Sequence, residues 1–139
     1  MNAIASNCRG LGNPETVREL HNLVRLEAPA LVYLCETKIK GDRVTDLTKR
    51  LGFEGCFSVD CVGLSGGLAL LWSKGVEVKV ETRSDQHIDA KVTNIGTDNK
   101  SWRFTGFYAK AKRKERSASW ELLRWLRTQS DLRGCVEVT

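Results

Sequence analysis

Asn7 closes the short run Asn2-Ala-Ile-Ala-Ser6, and Glu36 closes the apolar run Leu31-Val-Tyr-Leu-Cys35. Each stands where a strand-like segment ends on a hydrogen-bonding side chain. If the two segments are neighbouring parallel strands, these side chains lie within about 5 Å of one another. A crevice beyond the carboxyl ends of such strands is where open α/β sheets bind ligands. Each residue also has a plainer reading: Asn7 as a turn former, Glu36 as a strand-end carboxylate paired with Lys38 or Arg9. A second feature is the basic run Lys110-Ala-Lys-Arg-Lys-Glu-Arg116. Its cations Lys110, Lys112, Arg113, Lys114 and Arg116 suit a polyanion such as nucleic acid, although most charge runs are solvated loops. The five cysteines contain no CxxC pair and fit no zinc-ligand spacing, so they read as reduced thiols of an intracellular protein.

The elements that must position these residues are legible in the pattern. Asn13-Pro14 opens a helix, because Asn can cap and Pro is tolerated at the first helical position. Val17, Leu20, Leu23, Val24 and Leu26 continue it at helical spacing, to about Ala28, before Pro29 stops it. Strand 2–6, this helix and strand 31–35 form a β-α-β unit, whose strands are parallel and whose crossover is right-handed. A short helix follows over 42–51, with Val44, Leu47 and Leu51 on one face. Strands are then expected at 55–59 and 68–72. Three alternating runs come next, led by Val76, by Ile88 and by Trp102, each with one buried face and one that is wet or partly covered. Ser117 or Ser119 caps a last helix carrying Leu122, Trp125 and Leu126, and Cys135-Val-Glu-Val138 forms a final strand. His87 and His21 read as a satisfied or surface histidine and a solvent-facing one; Trp102, Trp120 and Trp125 read as packing residues.

Length and composition set the bounds. The 139 residues, with 41% hydrophobic content and a net charge of +5, allow one domain and exclude a disordered tail. No apolar run approaches the roughly 20 residues of a spanning helix, and residues 1–7 do not form a signal peptide. The charge is uneven: from Lys100 to Arg133 there are ten Lys/Arg against Glu115, Glu121 and Asp131.

Four phrases in order carry a family resemblance: Ser6-Asn-Cys-Arg-Gly-Leu-Gly12, Leu34-Cys-Glu-Thr-Lys38, Gly66-Gly-Leu-Ala-Leu-Leu-Trp72 and Thr105-Gly-Phe-Tyr108. The chain resembles the endonuclease/exonuclease/phosphatase superfamily, and most nearly the endonuclease domain of plant LINE-type (non-LTR) retrotransposons. The resemblance implies a two-sheet α/β sandwich of the deoxyribonuclease-like type, and metal-dependent hydrolysis of a phosphodiester in DNA. It implies Mg²⁺, with Mn²⁺ as the alternative, held by Glu36. Asn7 would orient the metal-site carboxylates and supply an amide oxygen, and Tyr108 would contact the scissile phosphate. Mg²⁺ prefers hard oxygen ligands and keeps several waters, so one or two carboxylates plus substrate phosphate suffice.

The departures from the family pattern matter as much. Where the family has Gly-Asp-Phe-Asn, this sequence reads Gly134-Cys-Val-Glu-Val-Thr139; Ala109-Lys-Ala-Lys112 replaces its Pro-Asn, and no Ser-Asp-His phrase is present. The expectation is therefore a single partial domain over 1–139, incomplete at its carboxyl end. It would bind Mg²⁺ weakly, lack catalysis as an isolated chain, self-associate through uncovered sheet edges and reside in the nucleus or cytoplasm. The alternative is a non-catalytic nucleic-acid-binding or vestigial retroelement fragment.

Overall fold

Periodicity alternates between helix and strand along the first half of the chain and then settles at two, and the secondary structure follows it. The computed structural model describes residues 3–63, 65–95, 99–108 and the backbone of 135–138. Its elements run β1 (Ala3–Asn7), α1 (Pro14–Glu27), β2 (Leu31–Cys35), α2 (Gly41–Arg50), β3 (Gly55–Val59), β4 (Leu68–Trp72), β5 (Val76–Arg83), β6 (His87–Asn94), β7 (Ser101–Tyr108) and β8 (Cys135–Val138). They fall into two compact units, residues 1–74 and 75–139, each built on a four-stranded sheet. The expected fold class, two sheets with helices in an α/β arrangement, is the one observed.

In the first unit the sheet order is β1-β2-β4-β3. β1 and β2 pair in parallel, Asn7 opposite Cys35, while β4 runs antiparallel to both β2 and β3. α1 starts where the sequence says it should: the Asn13 side chain accepts the Glu15 N–H at 3.0 Å, and Pro14 follows at the first helical position. It ends as Ala28 turns left-handed at φ 44°, its N–H donating to the Val24 carbonyl. Leu20 of α1, with Val44 and Leu47 of α2, packs with Val32 and Leu34 of β2 and Ala69 and Leu71 of β4 in one apolar cluster. Side chains of this size each contribute about 1.5–3 kcal/mol when fully buried. Leu31, Tyr33, Cys35, Leu68 and Leu70 point to the opposite face of the sheet and are buried as well.

In the second unit the order is β5-β6-β7-β8, antiparallel except for β7 with β8. β5 alternates half-buried and exposed residues as expected. On β6 and β7 the second face, expected to be wet or partly covered, is covered at one end: Asp89, Arg103 and Thr105 are buried while Lys91 is exposed. The reason is mutual satisfaction. Arg103 grips Asp89 with Nε at 2.7 Å and Nη2 at 2.9 Å, and Thr105 Oγ1 donates to Asp89 Oδ1 at 3.0 Å. A carboxylate that accepts from three donors can leave water, whereas a lone charge cannot; Arg103 Nη1 alone of the group has no partner among the described residues. Trp102 packs edge-on against Phe104, ring centroids 6.2 Å apart, as the packing role expected for it requires. β8 lies where the sequence expects the final strand. The helix expected after Ser117 or Ser119, with Trp120 and Trp125, lies outside the described residues.

Candidate functional site

β1 ends on Asn7, one residue later than the expected strand, and Glu36 follows immediately after β2. The parallel register sets these two chain ends side by side. Beyond the sheet the strands do not splay; their loops stay tied by backbone hydrogen bonds. Cys8 N–H donates to the Cys35 carbonyl at 2.9 Å, Gly10 N–H to Glu36 at 2.8 Å and Leu11 N–H to Thr37 at 2.8 Å. On the other side, Thr37 N–H donates to Gly67 at 3.2 Å and Lys38 N–H to Gly66 at 2.9 Å. Three of the four phrases of the sequence thus form one stitched rim.

The stitching forces unusual backbone. Arg9, Glu36 and Lys38 all adopt positive φ, at 51°, 53° and 56°. Non-glycine residues pay for that conformation, and it persists where surrounding contacts over-determine it, often at functional sites. Asn7 folds over its own turn, Oδ1 accepting the Arg9 N–H at 3.1 Å. An amide oxygen has two lone pairs, so one acceptor direction remains. Gly67 sits at φ +94°, and a Cβ there would collide with Thr37 Oγ1. Thr37 is fully buried, and its hydroxyl has no hydrogen-bond partner among the described residues. Neither Thr37 nor Gly67 was singled out as a site residue by spacing; the Gly66-Gly67 pair was the signal that could have found them.

Electrostatics mark the same corner. Burial pushes the Cys8 thiol up from 9.0 to about 12, and the Glu36 carboxylate adds to the shift. Cys35 is likewise pushed up to about 12, first by burial, then by Cys8 and Glu36. Both thiols are therefore protonated and inert as nucleophiles near neutral pH.

Tyr108 belongs to the second unit, as the last residue of β7. It is half-buried, and its N–H donates to the Gln86 carbonyl at 2.7 Å, which ties β7 to the β5–β6 turn. His87, at the start of β6, is buried and satisfied: Nδ1 lies 2.6 Å from Ser84 Oγ and Nε2 lies 3.0 Å from Thr82 Oγ1. His21 is exposed, as expected. The basic run Lys110, Lys112, Arg113, Lys114 and Arg116 lies outside the described residues.

For a metal, the first unit offers the Glu36 carboxylate and the Asn7 amide oxygen; among the described residues no group of three or more His, Cys, Asp or Glu side chains converges. That donor set fits a magnesium ion that keeps most of its waters and does not fit an all-protein cage. Among the described residues no helix is long and apolar enough to cross a membrane.

No family model and no curated protein matches the chain. Solved structures do. An AP endonuclease from Archaeoglobus fulgidus aligns with 97% of this chain and 54% of its own at 15% identity, with a TM-score of 0.66. The 3′ phosphatase NExo from Neisseria, bound to product DNA hairpin, aligns with 96% of this chain and 55% of its own at 16% identity and a TM-score of 0.64. An endonuclease/exonuclease/phosphatase family protein from Bacteroides thetaiotaomicron gives 91%, 58%, 12% and 0.64. The chain spans little more than half the length of these structures. The likeness shows the fold: the chain shares the two-sheet α/β arrangement of these structures.

Proposed function

We propose that this chain is the amino-terminal part of a magnesium-dependent, phosphodiester-hydrolysing endonuclease domain acting on DNA, of the type carried by plant LINE retrotransposons. The observation that carries the reading is the stitched rim: parallel pairing brings Asn7 and Glu36 to adjacent strand ends, among loops held in positive-φ conformations. A rigid rim that fixes an amide and a carboxylate is what a positioned oxygen-ligand site requires. The DNA-bound NExo relative supports nucleic acid as the partner.

In this reading Glu36 and Asn7 hold the ion, with Mn²⁺ as a substitute. When bound, such an ion supplies Lewis acidity and lowers the pKa of water. The chain's own residues do the rest. Asn7 is held by its own turn, Oδ1 accepting the Arg9 N–H, and the second lone pair of that oxygen is the one it would offer. Tyr108, the last residue of β7 in the second unit, is the residue to which the resemblance assigns phosphate contact. No residue among the 139 supplies the superfamily's Asp-Phe-Asn or Ser-Asp-His phrase. General acid–base catalysis is worth about 10²–10⁴ in rate, so this chain alone turns over at background level. Self-association belongs to the same reading and is supported by exposed Leu26 and Val62, 78% and 79% accessible.

Plasmid nicking in Mg²⁺ against chelator tests the proposal, with light scattering for the association state. The expected result is no chelator-sensitive nicking by the isolated chain. Nicking that disappears in Glu36→Ala would overturn the inactivity and keep the site. Nicking indifferent to Glu36→Ala and to Asn7→Ala would overturn the site itself.

A further inference from the structure

Away from Asn7 and Glu36, the first unit contains a cavity of 520 Å³ lined by α1, α2 and the turn before α1. Its volume falls within the roughly 300–1,000 Å³ of small-molecule sites. Arg18 and His21 line it from α1, and Arg43 and Arg50 from α2. The spacing explains the convergence: positions three apart, or seven apart, share one face of a helix. Leu11, Val17 and Leu51 supply apolar lining. Among the described residues no acidic side chain lines this cavity; Asp46 lines a smaller one of 130 Å³ that shares Arg43 and Arg50.

Among the described residues, none of the three arginines forms an ion pair or a side-chain hydrogen bond, in contrast to Arg103, which pairs with Asp89. Three like charges around one concavity repel one another, and a bound anion relieves that repulsion. Guanidinium is also the side chain best matched to phosphate, because its planar fork donates two parallel hydrogen bonds. Clustered guanidiniums match the concentrated charge of a polyphosphate better than the single, spaced carboxylates of an acidic peptide. Half-buried Val17, with the little that Leu11 and Leu51 leave exposed, gives a flat base an apolar edge to rest on.

We propose that this cavity binds a nucleoside polyphosphate, with Arg18, Arg43 and Arg50 on the phosphates and Leu11, Val17 and Leu51 against the base. The site is separate from the Asn7 and Glu36 rim and does not depend on the function proposed for it.

Isothermal titration of the 139-residue chain in chelator, so that no metal bridges to Glu36, tests this with three probes: ADP, inorganic pyrophosphate and a short blunt DNA duplex. The expected result is saturable, salt-sensitive ADP binding, with pyrophosphate weaker and duplex weaker still. Arg43→Ser with Arg50→Ser should weaken ADP by about tenfold or more. Arg18→Ser, on the other helix, should weaken it in the same direction and covers the case in which the double variant misfolds. Arg25→Ser, in the last turn of α1 and outside the cavity lining, should bind as the parent does. Absence of ADP binding, ADP binding indifferent to all three cavity arginines, or preference for the duplex would overturn the proposal. Pyrophosphate binding as tight as ADP would overturn the role given to the apolar lining.

Discussion

Cys8 and Cys35 show how far one corner of the fold is removed from water. Their pKa values lie near 12 against an ordinary 9.0. The sign of the consequence is set by linkage: above pH 9 the unfolded chain releases these protons and the folded chain does not. The stability they allow is complete below about pH 9 and is lost as pH rises toward 12. At pH 8, iodoacetamide should label half-buried Cys56 first and reach Cys8 and Cys35 only when denaturant opens the unit, as peptide mass spectrometry would read. Gly67 makes a second residue-scale case. Alanine there must hold φ +94° with its Cβ against Thr37 Oγ1. Gly67→Ala should cost about 1–3 kcal/mol or more in urea unfolding. Adding Thr37→Ala should recover part of the loss, because the overlap goes and the backbone strain stays.

Strand pairing decides the behaviour of the second unit. A register shift between Val80 and Thr82 in β5 brings Thr82 opposite Asp89. Thr82 Oγ1 can then donate to Asp89 Oδ2 at 3.4 Å while accepting from His87 Nε2, and Ser84 Oγ donates to Nδ1. That donor order satisfies the neutral imidazole. Burial lowers the His87 pKa below its ordinary 6.5, outweighing Asp89 and Asp85, which push it up. The unfolded chain therefore takes up a proton as pH falls through about 6.5 that the folded chain resists. Stability is present above that pH and declines as pH falls toward the lowered value. Urea midpoints should drop between pH 7.5 and 5.5 in the parent, and His87→Gln should reduce that drop. Asp89 and Arg103 lie beside this chain of hydrogen bonds, and removing one partner of such a buried pair typically costs about 3–5 kcal/mol.

The whole molecule carries a net charge of +5, concentrated toward Lys110–Arg116. If those five cations meet phosphates, log K for duplex DNA should fall with log salt at a slope of about −4 to −5, made shallower by Glu115. Binding should be weak and indifferent to sequence, in the non-specific range of about 10⁻⁴–10⁻⁶ M. Replacing Lys110, Lys112, Arg113 and Lys114 with Ser should flatten the slope by about 3 to 4, and Glu36→Ala should leave it nearly unchanged. Fluorescence anisotropy across a salt series would separate the three proteins. A Ser variant that binds like the parent would reduce the run to a solvated loop.

Much of this architecture was legible in the amino acids alone. β2, β3 and β4 begin and end where their apolar runs do, and α1 begins at the Asn13-Pro14 cap and stops ahead of Pro29, because these limits are set locally by side-chain spacing and by which backbone groups can be paired. That Asn7 and Glu36 close parallel strands followed from the β-α-β pattern, and strand pairing makes those strands neighbours. Other features needed the tertiary structure. Nothing near Asp89 in the chain announces that Arg103 and Thr105, 14 and 16 residues away, will let it be buried. Nothing near Glu36 announces a positive φ, which is held by hydrogen bonds from and to loops at residues 8–11 and 66–67. Arg18, Arg43 and Arg50 stand on two different helices and share a cavity only once those helices pack. Local structure depends on neighbours a few residues away, which a sequence displays. The fate of a polar group depends on partners brought by pairing and packing across the chain, and only the folded molecule chooses those.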